Sequence, residues 1–153
     1  MRLADYLCAD FVLSHLEGRD VESVVREVSA RAATAGVGSE ELIAGKLLER
    51  ERAHTTVIGS GLAVPHATVP GLDEPVIGIA FAREPVAFGS DASDPVRVFF
   101  VLLSPPGRER EHVKLLARIC RLGRSEHFLE RLELTDTDED IVRVVESIDA
   151  QHV

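Results

Sequence analysis

The feature that most constrains the fold is the run Val96–Leu103, which is apolar at every position except Arg97. The run is far shorter than the roughly 20 apolar residues that a membrane-spanning helix needs. Its β-branched and aromatic residues, preceded by Pro95, predict a strand. Because consecutive positions are apolar, both faces of this strand must be buried. The rest of the chain therefore has to cover a sheet on two sides.

Four segments with helical spacing can supply that cover. The first follows the capping residue Asp20, and the second runs from about Ser39 to Glu51. The third follows Ser104-Pro105-Pro106-Gly107, with Gly123 expected just past its C-terminus. The last opens on the capping-box pattern Thr137-x-x-Asp140. Their apolar positions are Val21, Val24, Val25, Val28; Leu42, Ile43, Leu47, Leu48; Val113, Leu115, Leu116, Ile119, Leu122; and Ile141, Val142, Val144, Val145, Ile148.

Further short apolar runs predict strands at Leu62–Val64 and Pro75–Phe81, and a short edge strand at Val86–Phe88. Helices flanking a central sheet indicate an α/β or mixed α+β class. The chain has 153 residues with no internal repeat and no long linker, so we expect one domain over residues 1–153.

Charge and cysteine content exclude several classes of protein. Twenty-six acidic against 17 basic residues give a net charge of −9, which is the wrong sign for binding phosphate backbones of nucleic acids. Cys8 and Cys120 are far apart and have no metal-ligand spacing, so we expect reduced thiols and no zinc or disulfide framework. The N-terminus lacks the basic and apolar regions of a signal peptide, which predicts a cytoplasmic protein.

The segment with the most chemical information ends in Pro65-His66. Proline fixes its own φ and holds Val64 in the β region, so His66 is expected at a rigid strand end. An accessible imidazole held in this way is a candidate nucleophile. The alternative is a purely structural histidine.

The residues before this histidine fit a phosphate site. Thr55 and Thr56 carry hydroxyls, and the amides around Gly59 and Gly61 are donors of the kind that hold phosphoryl oxygens. Glycine at those positions allows a ligand to approach the backbone closely. These four residues are therefore predicted to bind phosphate.

Two more distant residues could assist. His112 lies near the start of a predicted helix, where the helix field attracts anions and disfavours a protonated imidazole. Arg50 supplies a planar cation suited to phosphate oxygens. The structural alternatives are a first-turn surface histidine and an arginine that complements its helix dipole. Glu51 and Arg52 are expected to form a solvated pair of little consequence.

Much of the chain resembles one known family, the type-2 IIA domains of the bacterial phosphoenolpyruvate-dependent sugar phosphotransferase system, which includes fructose/mannitol and nitrogen-regulatory IIA proteins. Residues in register with its L-x-x-R-E and S-T-G-I-G-x-G-x-A-x-P-H pattern are Leu47, Arg50, Glu51, Thr55, Thr56, Ile58, Gly59, Gly61, Ala63, Pro65 and His66. The stretch from Pro85 through Asp91 to Pro105, and the segment His112–Ala117, are similar to later parts of the family pattern.

The resemblance implies a mixed, mostly parallel β-sheet flanked by helices on both faces. It implies that His66 accepts a phosphoryl group from the phosphocarrier HPr and passes it to a cysteine of a IIB partner, with His112 and Arg50 as supporting residues and no metal or cofactor. Val57 stands where the family usually has glycine, which predicts a stiffer and bulkier loop.

Three functions stay open at this point. The chain could be a relay component in sugar uptake, which is a phosphotransferase. It could be a nitrogen-type regulator in which the phosphorylation state of His66 controls binding to target proteins. It could also be a sensor or scaffold that keeps the fold without the relay.

Overall fold

The computed structural model describes residues 2–89 and 94–151, in which one mixed sheet lies between two layers of helices. The helices are α1 (Val21–Thr34), α2 (Glu40–Ala53), α3 (Glu109–Gly123), α4 (Phe128–Glu133) and α5 (Asp138–Gln151), with a 3₁₀ turn at Leu3–Asp5. The strands are β1 (Leu7–Leu13), β2 (Val57–Gly59), β3 (Leu62–Ala63), β4 (His66–Thr68), β5 (Val76–Val86) and β6 (Val96–Ser104).

The strand β6 is the centre of the sheet. The order is β1-β5-β6-β3-β2, and β4 pairs with β6 on the same side as β3. Three pairings are parallel, β1 with β5 and both β3 and β4 with β6. The long β5–β6 ladder and the short β2–β3 hairpin are antiparallel. The predicted fold class, a mixed sheet with mostly parallel pairings, is confirmed.

Alternate residues of β6 enter two separate cores. Phe99, Val101 and Leu103 pack against α1 and α2. The residues between them, which include Phe100 and Leu102, pack against α3, α4 and α5. A strand with two buried faces is therefore apolar at nearly every position, as the sequence predicted.

The predicted helix starts are also confirmed. The Asp20 carboxylate accepts a hydrogen bond from the Ser23 amide at 2.8 Å, and the Ser23 hydroxyl accepts one from the Asp20 amide. The hydroxyl of Thr137 accepts from the Asp140 amide at 3.1 Å, and the Asp140 carboxylate accepts from the Thr137 amide at 3.2 Å. Both are capping boxes, which satisfy amides that the first helical turn leaves unpaired.

Three local predictions are wrong. Val86–Phe88 is not a separate edge strand, because Val86 ends β5 opposite Val96 and the next two residues lie outside any strand. Gly123 does not follow α3 but is its last residue, and an added Cβ there would lie 2.2 Å from a Leu62 methyl carbon. Glycine at this position allows close packing of α3 on β3. His66 begins β4, rather than ending the strand before it.

Candidate active site

One face of α2 lines a cleft in the molecule. Lys46, Glu49, Arg50 and Ala53 follow the i, i+3, i+4, i+7 spacing that brings side chains onto one side of a helix. The opposite side of α2 is fixed in the core by buried residues that include Leu47. The cleft has a volume of about 450 Å³, and its lining is Lys46, Glu49, Arg50, Ala53, His66, Ala67, Thr68 and His112.

His66 is held in the cleft by backbone on both sides. It opens β4 and lies level with Leu102 of β6, and the amide of Leu102 donates to the Pro65 carbonyl at 3.0 Å. Nδ1 of His66 lies 2.7 Å from the carbonyl oxygen of Val64. A carbonyl can only accept, so Nδ1 carries the proton and Nε2 carries the free lone pair.

His112 reaches the same cleft from the other face of the sheet. It is the fourth residue of α3, and its Nδ1 lies 2.6 Å from the hydroxyl oxygen of Ser104, at the end of β6. The rings of His66 and His112 have their centroids 5.4 Å apart, with an angle of 54° between the planes. The structure therefore brings together two histidines that are 46 positions apart in the sequence.

Both imidazoles are held in the neutral form. Burial is the largest cause and lowers the pKa of His66 below its ordinary value; the Val64 carbonyl opposes it, and the smaller effects of Arg50 and Glu51 lower and raise the pKa respectively. Burial also lowers the pKa of His112, and His66 adds to the effect while Glu109 opposes it. A neutral imidazole keeps a lone pair available for nucleophilic attack near pH 7.

Arg50 and His66 line the same cleft, and the predicted phosphate-binding role of Arg50 stays a prediction. One guanidinium nitrogen donates to the carbonyl of His54, just past the end of α2, at 2.9 Å. This bond anchors the guanidinium at one corner while the side chain lines the cleft. Arg50 thus also satisfies a carbonyl at the end of its helix, in addition to the dipole-complementing position that the sequence left open.

The four residues predicted to bind phosphate do not line this cleft. Thr56 is buried, and both its amide and its hydroxyl donate to the carboxylate of Glu51 at 2.7 Å. Thr55 is exposed and borders a neighbouring pocket of about 530 Å³ instead.

Gly59 ends β2 and Gly61 lies in the turn to β3, and their φ angles of 94° and 78° require glycine. The carbonyl of Gly61 accepts from the amide of Val98 at 3.0 Å, whereas His66 is level with Leu102. Four residues of extended strand separate these levels, a distance of about 13 Å. The turn is therefore remote from the His66 ring.

The structure contradicts the expected solvated pair at Glu51 and Arg52. Arg52 is exposed, but Glu51 is only 7 % exposed and is bonded to Thr56. The helical period could have shown this, because Glu51 continues the buried stripe of Ala44, Leu47 and Leu48.

Three further residues differ from what the sequence predicted or lie outside the part of the chain that the structure describes. Lys46 was missed, although its position one helical turn before Arg50 indicates the same face. Val57 forms the first residue of β2 opposite Ala63, so the expected bulkier loop is a short strand. Asp91 lies outside the described residues.

Within residues 2–89 and 94–151, no three or more His, Cys, Asp or Glu side chains are grouped so that they could hold a metal ion. No helix there is long and apolar enough to cross a membrane.

Residues 5–148 match the family described as the phosphoenolpyruvate-dependent sugar phosphotransferase system, EIIA 2. Over 147 residues the chain is 33% identical to a nitrogen regulatory protein of Bradyrhizobium diazoefficiens, covering 95% of each. Over 136 residues it is 30% identical to a fructose-like EIIA component of the Escherichia coli phosphotransferase system, covering 87% of this chain and 90% of the relative.

Solved structures share the fold. The nitrogen regulatory protein IIA-Ntr from Neisseria meningitidis superposes with a TM-score of 0.83 at 22% identity, covering 94% of this chain and 98% of that one. In a complex of enzyme IIAMTL and phosphorylated enzyme IIBMTL from Escherichia coli, one chain gives a TM-score of 0.76 at 19% identity, covering 91% of this chain and 96% of that one.

Proposed function

Because the chain belongs to the EIIA 2 family of the phosphoenolpyruvate-dependent sugar phosphotransferase system, as its motifs predicted, we propose that it is a phosphoryl carrier that is loaded on His66. The proposed donor is an HPr-type phosphocarrier. A cytoplasmic location, expected from the sequence, stays a prediction of this proposal.

The observation that carries the proposal is the hydrogen bond between Nδ1 of His66 and the Val64 carbonyl. It fixes the tautomer, so that the lone pair is always on Nε2. A nucleophile whose reactive atom is fixed before the donor arrives has less freedom to lose in the transition state.

The transfer step needs no reactant besides the donor and His66. The Nε2 lone pair attacks phosphorus, and a nitrogen–phosphorus bond forms on His66. The bond from phosphorus to the donor's ring nitrogen breaks, and its electron pair stays with the donor, whose ring becomes neutral. His66 keeps its Nδ1 proton, so the phosphorylated ring carries a positive charge beside the Val64 carbonyl, and its new bond stays labile.

The cleft supplies charge for this step. Transfer of a phosphoryl group depends mainly on positioning and on stabilisation of charge on the phosphoryl oxygens. Lys46 and Arg50 contribute two cations from α2, with Glu49 opposing them. His112 serves as a neutral donor through Nε2–H when the Ser104 hydroxyl donates to its Nδ1.

In the first proposed role, the phosphoryl group moves on to a cysteine of a IIB protein. The cysteine thiolate attacks phosphorus, a sulfur–phosphorus bond forms, and the electron pair of the broken bond returns to Nε2 of His66. The solved complex of enzyme IIAMTL with phosphorylated enzyme IIBMTL supports a partner of this kind for the shared fold. In this role the chain is a phosphotransferase of sugar uptake.

In the second proposed role, the phosphoryl group is a regulatory mark. The match to the nitrogen regulatory protein of Bradyrhizobium diazoefficiens, at 33% identity over 95% of both chains, favours this alternative. The phosphoryl group brings about two negative charges, of which the positive ring offsets one, into a cleft that holds Lys46 and Arg50, and this change alters which target proteins bind there.

Intact mass spectrometry tests the shared chemistry. The protein is mixed with phosphoenolpyruvate, enzyme I and an HPr-type phosphocarrier, beside His66→Ala and His112→Ala. We expect an acid-labile gain of about 80 Da, the mass of one phosphoryl group, on the wild type. His112→Ala should gain it more slowly and His66→Ala not at all. Label on His66→Ala would contradict the assignment.

Addition of a IIB protein then separates the two roles. Rapid loss of the label from His66 with its appearance on a IIB cysteine supports the uptake role. A label that persists, together with a target protein that binds only one phosphorylation state, supports the regulatory role.

A further inference from the structure

Glu51 is a buried carboxylate that the proposed transfer step does not use directly. It lies in the last turn of α2, next to Arg50, and is 7 % exposed. Its two oxygens accept separately, one from the Thr56 amide and one from the Thr56 hydroxyl, each at 2.7 Å. A buried carboxylate with two such partners fixes the loop that bears them.

The bonds from Glu51 continue to His66. The carbonyl of Thr56 accepts a hydrogen bond from the Val64 amide at 3.0 Å. The carbonyl of the same Val64 accepts from Nδ1 of His66 at 2.7 Å. Three consecutive contacts therefore connect the carboxylate to the nitrogen that decides which tautomer His66 adopts.

Other contacts hold the residues at both ends of this chain of hydrogen bonds. Glu51 is held because α2 packs through Leu47 and Leu48 into the core. Beyond His66, the amide of Leu102 in β6 holds the Pro65 carbonyl. The position of the Val64 carbonyl is thus fixed by α2 on one side and by the sheet on the other. Because Arg50 is on the same turn of α2 as Glu51, its position relative to this carbonyl is fixed as well.

We propose that Glu51 is a positioning residue for phosphoryl acceptance, which acts through Thr56 on the Val64 carbonyl and so keeps His66 in the Nδ1–H tautomer. The catalytic part of this inference depends on the function proposed above. Its structural part does not, because the tautomer exists in the unphosphorylated protein.

Three variants separate the contacts. Glu51→Ala removes both acceptors. Glu51→Gln keeps one acceptor for the Thr56 amide, and its NH₂ group can donate to the Thr56 hydroxyl oxygen, so both bonds survive without the charge. Thr56→Val removes the hydroxyl bond alone. The series therefore distinguishes loss of position from loss of charge.

Asp149→Ala is the matched control. Asp149 is also a buried carboxylate, 1 % exposed, and it accepts from the Ala4 amide at 3.1 Å and from Arg118 at 2.9 Å. These bonds lead to the N-terminal segment and α3, not to the loop before His66. A general loss of stability would affect both alanine variants alike.

The primary measurement is the ¹⁵N NMR spectrum of the His66 ring, which reports the tautomer. We expect only the Nδ1–H form in wild type, Glu51→Gln and Asp149→Ala, and a mixture with the Nε2–H form in Glu51→Ala. We also expect phosphorylation of folded Glu51→Ala to be roughly tenfold slower, with the rate restored in Glu51→Gln, as loss of the single hydrogen bond from His66 to the Val64 carbonyl would cause.

A folded Glu51→Ala protein with the wild-type ring spectrum would overturn the proposal, as would an equal change in Asp149→Ala. If Glu51→Ala does not fold, Thr56→Val decides, since it should show the Nε2–H form to a smaller extent and an unchanged spectrum would contradict us. A wild type that gains no phosphoryl group would refute the proposed function, while the ring spectra would still test Glu51.

Discussion

Burial is the main cause of the lowered pKa of both His66 and His112, but their charged neighbours differ. Only His66 also has Arg50 beside it. An imidazole with a lowered pKa stays neutral at a pH where a free one would already be half protonated. We therefore expect phosphoryl acceptance to persist below pH 6.5 and to be lost only as the pH falls through the lowered pKa of His66.

Arg50→Gln tests this at a single residue. The positive charge of Arg50 disfavours protonated His66, so its removal raises the pKa of His66 and moves the midpoint of the pH profile upward. Burial, the largest cause, remains and continues to lower the pKa. The rate on the plateau should fall by roughly 10²-fold as charge stabilisation is lost. Initial rates of phosphorylation between about pH 5 and 8 measure both effects.

The control for this variant is Arg52→Gln. Arg52 is two residues further along α2, is exposed, and does not line the cleft. We expect its pH profile to match the wild type. A profile of Arg50→Gln that coincides with that of Arg52→Gln would show that Arg50 does not set the protonation of His66.

The sequence predicted the residues of the site better than their contacts. His66, His112 and Arg50 were found from local patterns and the family motif, and the structure places all three in one cleft. Thr56 fits a phosphate site by type, yet its donors are already bonded to Glu51. A motif shows which residues recur, but it does not show which polar groups bond to each other within it.

At the level of secondary-structure elements, the regular ones were predictable and the irregular ones were not. The helices α1, α2, α3 and α5 have clear periods and, in three cases, side-chain caps. Strand β1 was missed because its pairing with β5 is interrupted between Leu7 and Val12, which breaks the alternation that marks a strand. Strands β2 and β4 have three residues each, and α4 has six, too few to show a period.

Packing between elements gives a prediction about stability. Gly78 lies inside β5 under the Phe11 ring, and an added Cβ would meet ring atoms at 2.4 to 2.6 Å. We expect Gly78→Ala to lower the free energy of unfolding by about 1–3 kcal/mol, because the buried ring has to move. Urea denaturation followed by circular dichroism measures the change.

The matched variant is Gly45→Ala in α2. Gly45 is an exposed helical residue, and a Cβ there meets nothing within 4 Å. The same chemical change should therefore raise the free energy of unfolding by about 0.5–1 kcal/mol, because alanine loses less backbone freedom in a helix. A Gly78→Ala protein as stable as wild type would refute the packing argument.

The whole molecule has an uneven charge distribution. The net charge is −9, yet between His112 and Ser125 the charged residues are all basic, namely Lys114, Arg118, Arg121 and Arg124. Acidic residues include Glu109 and Glu111 in the first turn of the same helix, Asp149, which pairs with Arg118 at 2.8 Å, and the cluster Asp136–Asp140. For the proposed donor with a basic rim, we therefore expect long-range attraction together with local repulsion by the basic side chains of α3.

Salt dependence of association tests this balance. With a donor that has a basic rim, we expect the association rate to fall by about tenfold between roughly 50 mM and 500 mM salt, because screening weakens the attraction. Lys114→Glu should speed association about twofold at low salt, since it removes local repulsion. Stopped-flow mixing measures both rates. A rate that does not change with salt would exclude electrostatic steering.

His66 receives its two neighbours from opposite sides of the sheet. Arg50 comes from α2 in one helical layer, and His112 comes from α3 in the other, each with its own core. A chain that has formed only one helical layer during synthesis, or has lost one to a protease, therefore lacks either Arg50 or His112 beside His66. Under the proposed function, such chains would take the label more slowly, so the fraction of a preparation that is labelled at an early time would count the chains that have folded completely.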